Sequence, residues 1–249
     1  VIPIHTAANI AAMREAGRLV AQTFAAITPI IEPGITTAEI DAVAERFIRA
    51  HGAKPAYKGY NGFPATVCIS PNQVICHGIP GPEQLRAGDI VGLDVGVILD
   101  GWYGDACITV PVGQISAEAQ QLLDVAATAL QQGIAAAVIG NHVGDIGAAI
   151  QHYVEPFGYG IVREYTGHGV GRKLHQAPTI YHVGTPKTGP KLQAGMIFTV
   201  EPMINMGTHK TILDKKDQWT VRTADGKLSA QFEHSIAISA DGPILLTLP

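Results

Sequence analysis

Charge is scarce in this chain. Of 249 residues, 17 are Lys or Arg and 21 are Asp or Glu, and no basic run occurs anywhere. That excludes the electrostatic footprint of a nucleic-acid binder or of a protein drawn to an anionic membrane. Long apolar runs are lacking too. None reaches the ~18 residues a membrane span needs, and no signal-peptide pattern opens the chain. The three cysteines, Cys68, Cys76 and Cys107, follow no framework spacing. They read as small apolar fillers in a reducing compartment rather than as a disulfide scaffold. Low-complexity segments are missing, as are the phosphate-cradling G-x-x-x-x-G-K-[ST] loop and the G-x-S-x-G nucleophile elbow. The "GHGVG" at 167–171 lacks the third spaced glycine and following helix of a dinucleotide turn.

What is present is apolar and periodic. Hydrophobic residues make up 47% of the chain, enough for an ample core in one large domain or two small ones. Thr36-x-x-Glu39 reads as a capping box. It opens the stripe Ile40, Val43, Ala44, Phe47 and Ile48, one face of a helix. The stripe returns 106 residues later as Ile146, Ala149, Ile150, Tyr153 and Val154, and Gly34 falls on Gly140. Each stripe follows another helical segment, roughly 7–26 and 117–138, the second N-capped by Ser116.

The repeat extends into strands. "LRAGDIVGLD" (85–94) aligns with "LQAGMIFTVE" (192–201), with Asp94 matched to Glu201. Two amphipathic helices can coincide by chance, but the paired L-x-A-G-x-I segments favour a duplication. We therefore expect an α+β fold of two pseudo-symmetric halves, about 1–115 and 116–249, in a single domain with one continuous sheet packed against helices. Matching strands would meet at the pseudo-two-fold axis, which makes Asp94 and Glu201 candidates for one cluster.

The segment "GLDVGVILDGWYGDA" (92–106) sharpens that expectation. Asp100-Gly101 is a strong two-residue hairpin turn. With that turn Asp94 lies opposite Cys107 and Asp105 opposite Gly96, so both carboxylates share a face as diagonal neighbours about 7–8 Å apart. Val91, Leu93, Val95, Val97 and Leu99 point the other way, while Gly92 and Gly96 leave room above the acids. A half-solvated face is the plain alternative. A buried carboxylate, however, persists only if paired, protonated or bound to a metal.

Other candidates surround this pair. Glu201 in "IFTVEPMI" and Glu233 in "SAQFEHSIAI" are acids in strand-like surroundings, and Glu233 shares its face with Gln231 and Ser235. His168 is bracketed by glycines that let the backbone approach a ligand or another strand closely. His77, at the end of an apolar run, fits either a solvated loop or a site. Four carboxylates and one imidazole suit two divalent first-row ions better than a structural zinc. Such a pair, about 3.5–4 Å apart, is a hydrolytic centre.

On these residues the chain resembles the type I methionine aminopeptidases of the "pita-bread" metallopeptidase superfamily. The carriers are "YNGFPATVCISPNQVICHGIP", the hairpin, "EYTGHGVGRKLHQAP", "MIFTVEPMI" and "FEHSIAI", and the likeness spans almost the whole chain. It implies a curved antiparallel sheet covered by helices. It also implies a metal set in which Asp94 chelates one ion, His168 and Glu201 hold the other, and Asp105 and Glu233 bridge both. Glu201 would also move protons, and His77 and His175 would contact the substrate. Tyr60, Phe63, Cys68 and Trp219 would wall the methionine pocket, with Tyr57 and Leu174 at neighbouring positions. Two divalent ions (Co, Mn, Fe or Zn) would be the cofactors, with a monovalent Na or K near Asn72 and Ser229.

The implied activity is removal of initiator methionine from nascent polypeptides when the second residue is small. The setting would be cytoplasmic, by a monomer with transient ribosome contact and with neither nucleic acid as substrate nor a membrane. A prolidase-like Xaa-Pro peptidase and a non-enzymatic binder on the same scaffold are the alternatives.

Overall fold

The computed structural model describes residues 1–249. Four helices form where the periodicity predicts. Helix α1 spans Ala7–Ile27 and is boxed by Thr6, whose hydroxyl accepts from Asn9 N while Asn9 Oδ1 accepts from Thr6 N. Helix α2 (Thr37–Ala50) begins at the expected box: Thr36 Oγ1 accepts from Glu39 N at 3.2 Å, and Glu39 Oε2 accepts from Thr36 N at 2.8 Å. It buries Ile40, Ala44 and Ile48, with Val43 and Phe47 at the margin of the core. Each fully buried aliphatic side chain of this kind contributes about 1.5–3 kcal/mol. Helix α3 covers Ala117–Ala136, with Ser116 as N-cap. It stops two residues short of the expected end because Ala137 leaves the helical region at ψ 62°. Helix α4 (Val143–Val154) buries Ile146, Ile150 and Val154.

The helices cover a nine-stranded sheet in which every recorded pairing is antiparallel. At its centre lies the hairpin Ile90–Leu99 and Trp102–Pro111, closed by Asp100-Gly101 in the predicted register. Strand Glu233–Ser239 pairs with Trp102–Pro111 on one side and Ile197–Val200 on the other. The hairpin therefore joins the two halves of the chain in one layer.

The expectation of one continuous sheet needs correcting. Two further three-stranded sheets lie beside the main one, one built from Ser229–Gln231, Met203–Asn205 and Gly160–Ile161, the other from Thr211–Leu213, Val221–Thr223 and Val74–Cys76. The chain leaves the main sheet at Glu201-Pro202, where proline has no N–H for the ladder. It returns past Phe232, between Ser229–Gln231 and Glu233–Ser239.

Several features recur at the 106–107 spacing. Gly34 and Gly140 both take left-handed backbone, at φ +100° and +99°. Leu85 and Leu192 are both buried, and the isolated bridges Thr36–Gln84 and His142–Lys191 occupy corresponding places. Helices α1 and α2 pack on one core of 24 buried residues, and α3 and α4 on another of the same size. No helix is long and apolar enough to cross a membrane.

Candidate metal centre

Cross-strand register assembles the acids. Cys107 stands opposite Asp94 on one side and Glu233 on the other, so these three form a row across the sheet. Asp105, two residues before Cys107, lies on the same face. Glu201 follows the end of Ile197–Val200. His168 sits in Gly167–Gly169, whose glycines are required for close strand approach. A Cβ on Gly167 would lie 2.5 Å from Thr199 O, and one on Gly169 would lie 2.1 Å from Ala177 O. The close approach that the flanking glycines promised is therefore to neighbouring backbone.

These elements converge at one point. Asp105, His168 and Glu233 each offer a ligand atom, all within 4.8 Å of one another. His168 Nε2 lies 3.6 Å from Asp105 Oδ2 and 3.6 Å from Glu201 Oε1. Asp94 joins through the Tyr57 hydroxyl, which lies 2.5 Å from Asp94 Oδ1 and also contacts Asp105 Oδ1. Glu201 is held by Thr199 Oγ1 at 2.6 Å and Gln231 Nε2 at 3.3 Å, and its backbone N–H donates to His182 Nε2 at 3.1 Å.

Burial and mutual proximity disfavour the ionised form of these acids in the absence of a cation or a proton. Burial raises the Asp94 carboxyl to about 7. Asp105 and Glu233 are pushed well above the usual carboxylate range, first by burial and then by neighbouring carboxylates, and Glu201 likewise chiefly by burial. Burial holds His168 down, to about 3. No lysine or arginine lines the cavity to offset these four acids and Glu164, which lines it with them. His168 Nδ1 lies 3.1 Å from Gly169 O, which assigns the ring proton to Nδ1 and leaves the Nε2 lone pair facing two carboxylates. Lone pairs that converge in this way fit divalent ions held by oxygen with one nitrogen.

The acids form one end of a cavity of about 360 Å³. Tyr60, Phe63, Cys68, Leu174 and Trp219 supply an apolar wall, and Tyr57 lines it beside the acids. Phe63 meets Trp219 edge-on at 5.1 Å. His77 also lines the cavity, packed edge-on against Tyr165 and Trp219, and burial lowers it to about 4. His175 Nδ1 lies 2.7 Å from the Tyr60 hydroxyl, and its ring stands 4.1 Å from that of His168. Away from the cavity, Ser229 N donates to Asn72 O at 2.9 Å, and Ser229 Oγ is buried without a partner. The Asn72 side chain is engaged by Asp89 and by Ile90 N. All three cysteines are buried and free.

Sequence reasoning missed the contact of Tyr57 with the acids and the supporting roles of Thr199 and His182. Thr199 had a signal, since residues i and i+2 share a strand face with Glu201. Tyr57 and His182 had none.

Residues 11–240 match the model of metallopeptidase family M24, and the chain belongs to that family. Within it the chain belongs with the methionine aminopeptidases. It is 48% identical to the methionine aminopeptidase of Rickettsia prowazekii over 247 residues, covering 99% of this chain and 95% of that protein. The crystal structure of methionine aminopeptidase from Rickettsia prowazekii superposes with a TM-score of 0.99 over the whole of both chains. The prolidase from Pyrococcus furiosus shares the fold at 22% identity and a TM-score of 0.80, with 99% of this chain matching 65% of that one.

Proposed function

We propose that this chain removes the N-terminal methionine from polypeptides whose second residue is small, acting on the initiator residue of nascent proteins. The observation that carries this reading is the junction of an apolar cavity with a convergent set of four carboxylates and one imidazole. The cavity takes an unbranched apolar side chain, and the acidic end takes the free α-amine and the scissile bond.

In this reading Asp94 would hold one divalent ion, His168 and Glu201 a second, and Asp105 and Glu233 would serve both. When bound, the ions would polarise the scissile carbonyl and acidify the attacking water. Glu201, raised by burial and gripped by Thr199 and Gln231, accepts the water's proton and passes it to the leaving amine. The Tyr60 hydroxyl and His175 Nδ1 are hydrogen-bonded; with the phenol as donor, the ring proton would sit on Nε2 and would be available to the scissile carbonyl oxygen as charge develops there. His77, which lines the same cavity beside Trp219, would contact the substrate as well. Tyr60, Phe63, Cys68 and Trp219 hold the methionine side chain and exclude water.

Co, Mn, Fe and Zn all suit this donor set. The orphaned Ser229 hydroxyl beside the Asn72 carbonyl supports a monovalent Na or K there. We place the protein in the cytoplasm as a monomer, one catalytic domain over 1–249, meeting nascent chains by transient contact near the ribosome.

The test is methionine release from Met-Ala-Ser and Met-Lys-Ser by metal-depleted protein, with each divalent metal restored in turn. Metal-dependent release from the first peptide alone is expected. Equal turnover of both, or cleavage of Xaa-Pro peptides without Met-Ala-Ser, would overturn the reading.

A further inference from the structure

Tyr57 is the one side chain that touches both hairpin carboxylates, and its placement is built in from several directions. Strand Lys54–Pro55 pairs with Val97 and Ile98, and Ala56 N then donates to Gly96 O at 2.9 Å. The segment that carries Tyr57 is thus stitched to the strand that carries Asp94. Tyr60 N donates to Tyr57 O at 2.8 Å and closes the turn that follows. The ring is buried, 8% exposed, and lies over Gly96, where a Cβ would stand 2.5 Å from Tyr57 Cε1. Gly96 was expected to leave open room above the acids. The phenol ring fills that room and brings its hydroxyl to Asp94 Oδ1 and Asp105 Oδ1.

A phenol carries one proton. It can donate to one carboxylate at a time, and the other oxygen-to-oxygen contact is favourable only with a further proton or a cation between them. No other side chain donates a hydrogen bond to the Asp94 or Asp105 carboxylate; Ser235 Oγ reaches only the backbone oxygen of Asp105. The oriented state of the hairpin pair therefore depends on this hydroxyl, whereas Glu201 has Thr199 and Gln231.

We propose that Tyr57 is a positioning residue of the metal centre: its hydroxyl, set over Gly96, orients the Asp94 and Asp105 carboxylates to receive a divalent ion. This rests on the metal-centre reading above but not on the methionine substrate. Outer partners that orient metal ligands characteristically contribute 10–100-fold to affinity.

The experiment is Co(II) titration of the metal-depleted full chain, wild type against Tyr57→Phe, read by calorimetry and by d–d absorption. Phe keeps the ring over Gly96 and removes only the hydroxyl, and near-UV circular dichroism checks that the fold is retained. The expected result is at least about 10-fold weaker Co(II) binding with a changed d–d spectrum. Affinity within twofold of wild type and an unchanged spectrum would overturn the proposal, even if Tm falls, since a purely structural hydroxyl would move Tm alone. As a second measurement that needs no deletion, 3-fluorotyrosine placed at position 57 is followed by ¹⁹F resonance during Zn(II) titration. A shift that saturates with bound metal supports the role, and a resonance indifferent to saturating Zn(II) overturns it. Failure of the wild type to bind either ion would instead sink the metal-centre reading. Metal binding that depends on Tyr57 but comes without release of methionine would sink only the substrate assignment.

Discussion

The two halves connect corresponding strands in different ways. In the first, Ile90–Leu99 turns through two residues, Asp100 and Gly101, and returns at once as Trp102–Pro111. In the second, Ile197–Val200 is followed by a long excursion before Glu233–Ser239 comes back to pair with it. The excursion builds strands in both smaller sheets and delivers Met203, Trp219 and Gln231 to the cavity. The tight hairpin places Asp94 and Asp105 on one rigid platform, while the open connection between Glu201 and Glu233 adds Trp219 to an apolar wall whose Tyr60, Phe63 and Cys68 come from the first half. Matched scaffolds are thus joined differently: both halves supply ligands and pocket, but only the second interrupts its strand pair to do so.

The comparison can be broken most severely at the platform. Asp105→Asn removes a bridging carboxylate, and release of methionine from Met-Ala-Ser is expected to fall by well over about 100-fold, beyond the upper figure for losing an outer partner. Near-wild-type kcat/KM would show that the row of acids is not the reaction centre. Chelation of bound metal comes next. It leaves three buried acids and the half-buried Asp94 without a counter-charge, and at metal concentrations near 100 times Kd the loss amounts to about 2.7 kcal/mol. Thermal unfolding with and without chelator should differ by roughly 5–10 °C for a chain of this length. An unchanged Tm would remove the stabilising role of the ion.

A smaller effect addresses the second half. Thr199→Val removes the 2.6 Å hydrogen bond to Glu201 Oε1 while keeping the shape of the side chain. We expect about a 10-fold loss in kcat, by the same outer-partner argument, with KM little changed because Thr199 does not line the cavity. A change confined to KM would contradict the role of Glu201 in proton transfer. The smallest pair tests the likeness of the scaffolds. Gly34→Ala and Gly140→Ala each force a Cβ onto left-handed backbone with open space around it. Each should cost about 1–2 kcal/mol, and the two values should agree within about 0.5 kcal/mol in urea unfolding. A clear inequality would show that the halves carry different strain despite their matched geometry.

Much of this comparison was legible in the sequence because local rules were sufficient. A two-residue Asp-Gly turn and a period of two fix the register of Asp94 and Asp105 without any distant contact. The capping box and the stripe at Ile40, Ala44 and Ile48 fix α2 in the same way; recurrence of the stripe pointed to the matching helix, and recurrence of L-x-A-G-x-I pointed to Glu201. What stayed hidden depends on where the chain goes between elements. Pro202 signalled an end to pairing but not the two extra sheets that follow. Tyr57 lies in "AYKGYNGF", which has no period, and its reach to the acids follows only from the pairing of Lys54–Pro55 with the hairpin. His182 meets Glu201 through backbone, a contact that no side-chain pattern encodes.

The departure of the chain at Glu201-Pro202 has a consequence for descent. Loops within residues 206–228 can lengthen or shorten without shifting the register of the strands on either side, whereas an insertion at Asp100-Gly101 would displace both hairpin acids at once. Divergence among relatives should therefore gather in the excursion, where it alters which side chains are admitted. The hairpin, closed to insertion, would be inherited nearly whole.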